Sequence, residues 1–133
     1  MQSCEPYFAK LTEALTARCP FIDFATILVP EKANDLCCLK PCELFVYTAD
    51  GTSRWDALEK ILAAIALSDP GYACDVILLN RADVFTRYRA SQSQCLWVRQ
   101  GKEDDYYRFC QKAGLDHRII RARGRRLGII DNP

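Results

Sequence analysis

Apolar positions along this chain switch between helical and strand spacing, and the switches mark out its elements. Over residues 5–18, Phe8, Leu11, Leu15 and Arg18 recur at helical intervals; Pro6 is tolerated in the first turn and Cys19-Pro20 closes the segment, so a helix is predicted. FATILVP, residues 24–30, is apolar, partly β-branched and stopped by proline, which predicts a strand. ELFVYT, residues 43–48, predicts a second strand leading into a turn at Ala49-Asp50-Gly51. Ser53 followed by Asp56 is a helix-start signal. Trp55, Leu58, Leu62 and Ile65 then trace the predicted core face of a helix over 53–67, ended by Asp69-Pro70-Gly71.

CDVILLN, residues 74–80, reads as a buried strand interrupted only by Asp75, and a carboxylate there needs a partner, a metal or an exposed strand end. Arg81 to Ala90 predicts a short helix with Val84, Phe85 and Tyr88 inward, and CLWVR, residues 95–99, a short strand. Gly101 introduces a last helix through about Ala113, with Gly114 as its stop. The order helix, strand, strand, helix, strand, helix, strand, helix predicts an α+β domain, a mixed β-sheet with helices packed against it.

At 133 residues the chain fits one domain with a real core. A formal net charge of +1 gives no whole-molecule attraction to nucleic acid or membrane, so any electrostatic signal must be local. MQSCEPYFAK lacks the pattern of a secretory signal, and no apolar run approaches the roughly 20 residues needed to span a bilayer, which makes the cytoplasm the expected compartment. Eight cysteines would suggest a disulfide framework in a secreted chain, but Cys74, Cys95 and Cys110 occupy apolar positions of predicted elements and read as reduced, small hydrophobes. Cys38 and Cys42 have a spacing able to ligate zinc, yet a complete site needs more ligands and no Cys-x-x-Cys pair occurs; buried or plain thiols are the simpler reading for Cys37, Cys38 and Cys42. His117, the one histidine, has no acid or nucleophile near it in sequence. Tyr106, Tyr107, Phe109 and Trp97 read as core, or as an interface where exposed.

The stretch DVILLNRADVFTRYRASQSQCLWVRQGKEDDYYRFCQKA resembles the C-terminal half of the minimal nucleotidyltransferases, small relatives of the polymerase-beta-like transferases. The resemblance implies a nucleotidyltransferase-like fold and a site of three parts: a Gly-Ser phosphate loop after the first strand, two aspartates one residue apart that hold divalent metal, and a third aspartate on a neighbouring strand. Backbone amides must approach phosphate closely, and hard cations need several oxygen ligands. Along that pattern Pro30 and Glu31 stand where Gly and Ser would, and Asp35 replaces a further glycine. Proline has no amide hydrogen and glutamate repels phosphate. Of the paired aspartates only Glu43 offers a hard ligand, whereas Asp75 matches the third acid. Asp75 and Glu43 are therefore the candidate vestigial catalytic and metal residues, with an arginine such as Arg81 as a structural alternative partner for Asp75.

Residues 115–133, LDHRIIRARGRRLGIIDNP, set Arg118, Arg121, Arg123, Arg125 and Arg126 among isoleucines and leucines, and read as a basic, apolar-interleaved tail after a domain spanning 1–114. Such a segment is usually a solvated tail, but this one has the apolar content of something that docks. Three function classes follow. The first is a catalytically inactive, antitoxin-like interaction module needing no cofactor; the resemblance implies a HEPN-domain protein as its partner, and a second copy of the chain is the other expectation. The second is an active nucleotidyltransferase using magnesium and a nucleoside triphosphate, with Glu43, Asp75 and Asp50 as metal ligands and a protein or small molecule as acceptor. The third is a small nucleic-acid or metal-binding protein, which the near-neutral charge and a tail without stacking aromatics disfavour.

Overall fold

The computed structural model describes residues 5–29, 42–68 and 74–128, and these form α1 (Glu5–Arg18), β1 (Ile22–Leu28), β2 (Cys42–Thr48), α2 (Arg54–Ser68), β3 (Cys74–Leu78), α3 (Val84–Ser91), β4 (Gln94–Val98) and α4 (Glu103–Arg126). The strands make one mixed sheet in the order β3-β2-β1-β4, with β2 and β3 parallel and the other neighbours antiparallel. The α2 crossover supplies the connection that a parallel pair needs. The architecture is α+β, as the pattern predicts. Pro30, Glu31, Asp35, Cys37 and Cys38 lie outside the described residues.

Two apolar layers flank the sheet. On one side Leu11 and Leu15 of α1 and Ile61 and Ala64 of α2 pack on Ile22, Ile27, Leu44 and Val46. On the other, Phe24 and Phe45 of the sheet meet Ala90 of α3 and Tyr106 and Phe109 of α4. Alternation along β2 assigns Leu44 and Val46 to the first layer and Phe45 and Tyr47 to the second, as a central strand covered on both faces requires. Fully burying each of these side chains contributes about 1.5–3 kcal/mol.

Three expectations are corrected. The buried face of α2 is Ala57, Ile61, Ala64 and Ile65, while Trp55 is 76% and Leu62 52% exposed. Small residues let α2 lie close to α1, and the larger side chains are left on the outer flank. β3 is an edge strand, with Asp75 exposed near its start and the following side chains half-buried, so the acid needs no buried partner. Gly114 does not stop the last helix: α4 runs to Arg126, so the boundary expected between a domain at 1–114 and a tail lies inside one helix. Glycine costs roughly 1 kcal/mol in a helix interior. The inward face Tyr106, Phe109, Ala113, His117, Ile120 and Gly124 passes straight through that position at helical spacing. The stop is Gly128, which has φ +72° and donates its N–H to the Arg125 carbonyl at 3.1 Å.

The segment following β3 builds the fold. Asn80 clamps the end of β2: its Oδ1 accepts from the Thr48 N–H at 3.0 Å and the Thr48 hydroxyl at 3.1 Å, and its Nδ2 donates to the Thr48 carbonyl at 2.8 Å. Asp83 caps α3, its Oδ1 accepting the Thr86 N–H at 2.7 Å. This hydrogen bond to the ionised form holds the Asp83 carboxyl below its usual range.

Candidate functional site

Glu43 and Asp75 occupy one register position of the parallel pair β2–β3, side by side at the end of the sheet where β1 finishes. In-register residues on neighbouring strands project from the same face, with backbones about 4.8 Å apart. The two acids are nevertheless in different situations. Glu43 is half-buried, and its Oε2 accepts from Arg89 Nη2 at 2.5 Å. Arg89 comes from α3, and its guanidinium also lies 5.7 Å from the ring centroid of the buried Phe45. Asp75 is exposed and has no ion-pair partner among the described residues; Arg81, the partner its sequence suggested, does not pair with it.

The described part of this site holds two carboxylates in unlike states. One carboxylate is neutralised by a guanidinium that donates to the oxygen a cation would need, and the other stands alone. Among the described residues no group of three or more His, Cys, Asp or Glu side chains could hold a metal ion. Asp50, the further ligand considered from the sequence, follows the opposite end of β2 and is exposed. Of the two cysteines with zinc-like spacing, Cys42 is buried in the α1–α2 layer and Cys38 is outside the described residues.

His117 is a packing residue, its ring stacked on Tyr88 at 3.8 Å and 2° and edge-on to Phe85 at 5.8 Å, which ties α4 to α3. Past that contact the helix presents an outward face of Leu115, Arg118, Ile119, Arg123 and Arg126, with Arg125 also exposed and Arg121 half-buried. Leu115 is 49% and Ile119 41% exposed, an apolar pair flanked by arginines. Clustering of Arg123, Arg125 and Arg126 in the last turn suits the negative end of the helix dipole.

Solved structures with the same arrangement supply the comparison. A mutant form of the toxin–antitoxin complex MntA–HepT matches with a TM-score of 0.64 at 18% identity, over 90% of this chain and 94% of that one. The tri-AMPylated HEPN toxin of Shewanella oneidensis in complex with MNT antitoxin matches with a TM-score of 0.63 at 16% identity, over 94% of this chain and 95% of that one. A toxin–antitoxin structure with AMP-PNP matches with a TM-score of 0.60 at 16% identity, over 90% and 94%. The fold is nucleotidyltransferase-like. No protein-family model matches the sequence, and no curated protein does. In this nucleotidyltransferase-like fold the Glu43–Asp75 adjacency follows from sheet register.

Sequence reasoning missed Arg89, the residue that decides the state of Glu43. RYR, residues 87–89, sends its two arginines to different places, Arg87 toward Asn80 and Phe109 and Arg89 toward Glu43. Both lie on a helix crossing the sheet, where two positions of offset mean a turn of about 200°. That geometry was available in the predicted helix, but its placement over β2 was not. Two concavities lie at the other end of the sheet, around Tyr47 and Asp50.

Proposed function

We propose that this protein is a nucleotidyltransferase-like interaction module that binds a HEPN-domain protein in the manner of an antitoxin and transfers no nucleotide. The observation that carries this reading is the Arg89–Glu43 ion pair, which occupies one of the two acids and leaves Asp75 as the single unpaired carboxylate where metal-assisted phosphoryl transfer demands several oxygen ligands. Pro30 and Glu31 support it from the sequence, since a phosphate loop needs amide donors and tolerates no added anion. The fold's likeness to antitoxins crystallised with HEPN toxins suggests the partner class.

The docking surface is the outward face of α4. Leu115 and Ile119 offer apolar contact area, while Arg118, Arg123, Arg125 and Arg126 select an acidic surface and steer its approach. Calorimetric titration with the HEPN-domain protein of the same source should give a complex that Arg123, Arg125 and Arg126 changed together to Gln weakens by about ten-fold or more, chiefly through slower association. An unchanged affinity would remove α4 from the interface. Titration with ATP and magnesium should show no binding. The second reading, an active transferase, takes its support from the Glu43–Asp75 adjacency; metal-dependent nucleotide binding abolished by Asp75→Ala would establish it.

A further inference from the structure

Between the sheet, α3 and α4 lies a cavity of about 610 Å³ at the end of the sheet away from Glu43 and Asp75. Its apolar wall is the aromatic cluster of Phe24, Tyr47 and Phe109: Tyr47 stacks on Phe24 at 5.0 Å, and Phe109 meets Tyr47 edge-on at 5.9 Å. Charged side chains surround this wall, and most are already matched. Lys102 pairs with Asp105 at 3.6 Å, Lys112 with Asp116 at 3.0 Å, and Asp23 with Arg99. Two guanidiniums, those of Arg87 and Arg108, have no carboxylate partner among the described residues. Asp50, exposed at the turn after β2, is the one lining carboxylate without a cation.

Arg87 is the informative member. It is half-buried and held in place, with Nη2 donating to the Asn80 carbonyl at 2.7 Å and the guanidinium 5.9 Å from the Phe109 ring centroid. Its Nε is buried without a hydrogen-bond partner. A positioned, partly desolvated cation with no counter-ion is costly, and its hydrogen bond to Asn80 and its contact with Phe109 leave that charge unbalanced. Arg87 Nη1 has no hydrogen-bond partner among the described residues, and a guanidinium nitrogen beside an aromatic wall can donate to the oxyanion of an aromatic ligand.

We infer that this cavity is a binding site for a small aromatic anion, its carboxylate or phosphate held by Arg87 and Arg108 and its ring lying against Tyr47 and Phe109. The site is separate from the acid pair, and it needs neither metal nor nucleotide triphosphate chemistry.

Calorimetry on the full chain with phenyl phosphate, benzoate and inorganic phosphate tests this. Phenyl phosphate or benzoate should bind at about millimolar affinity or better, and inorganic phosphate about ten-fold more weakly for want of a ring. The order of phenyl phosphate and benzoate identifies which oxyanion the site prefers. Arg108→Gln, an exposed position whose loss breaks no contact, should weaken binding by roughly five-fold or more with the melting temperature unchanged. Arg87→Lys, which keeps the charge and removes the planar guanidinium with its Nη1 donor, should weaken it as well. Glu43→Gln with Asp75→Asn should leave it intact, which separates this site from the acid pair at the other end of the sheet. Absence of binding at about 10 mM of every probe, or an affinity indifferent to Arg108→Gln, would overturn the inference. Loss of binding in the Glu43/Asp75 variant would overturn it too, by moving the anion to the other end of the sheet.

Discussion

Replacing Asn80 by Ala should be among the most damaging single changes in this protein, although Asn80 is neither apolar nor fully buried. Its side chain makes three hydrogen bonds to Thr48, at 2.8, 3.0 and 3.1 Å, two of them to the main chain of a residue that is itself buried. A hydrogen bond nets about 0.5–1.5 kcal/mol, and a buried backbone group left without a partner costs about 1–3 kcal/mol. Alanine leaves the Thr48 N–H and carbonyl in that state, so a loss of about 3 kcal/mol is expected. At about 2.1 cal/mol/K of unfolding entropy per residue, over 133 residues, this lowers the melting temperature by roughly 10 °C. Thr48→Val, which removes only the hydroxyl donor, should cost about 1 kcal/mol. Urea unfolding followed by circular dichroism measures both. A loss below about 1 kcal/mol for Asn80→Ala, or a larger loss for Thr48→Val, would refute the clamp as the reason for this residue.

Three further expectations follow from other parts of the molecule. Asp83 has its folded carboxyl held below the usual 3.8 by the Thr86 N–H, so its contribution to stability is complete above that value and is lost as pH falls through the lower folded one; Asp83→Asn, which still caps, should flatten the acid limb of a stability–pH profile, and an unchanged limb would contradict this. Burial raises the Cys19 and Cys110 thiols above their ordinary range, whereas Cys95 is exposed on β4, so brief alkylation near pH 8 read by mass spectrometry should mark Cys95 before either; labelling of Cys19 first would refute the burial pattern. His117→Ala removes the stack on Tyr88 and should cost about 1 kcal/mol, and deletion of 115–133 should cost more by taking the rest of the α3–α4 contact; a truncated chain as stable as the full one would show that the second half of α4 packs on nothing.

Local signals carried much of the fold. The bounds of α1 and the start of α2 follow from a proline stop and a serine cap, information held within a few residues. The phase of α2 did not follow, because Trp55 and Leu62 outweigh Ala57 and Ala64 on any hydrophobic scale, and only the closeness of α1 makes the small residues the buried ones. β3 shows a similar limit. Its run of apolar residues reads as a central strand, and Asp75 was the one hint of an edge. Gly114 misled for the opposite reason, since a helix break was inferred from one residue while an apolar stripe at helical spacing continued across it. At the candidate site, the pairing of Glu43 with Asp75 was legible through resemblance, but Arg89 was not, because its role depends on where α3 lies over the sheet.

The most direct test of the central claim is native mass spectrometry of this protein mixed with the HEPN-domain protein of its own source, ATP and magnesium, since one spectrum reads both association and chemical modification. The account predicts a complex whose mass is the sum of its unmodified chains. A partner that stays unbound, or one that gains adenylyl groups in a reaction abolished by Asp75→Ala, would contradict it.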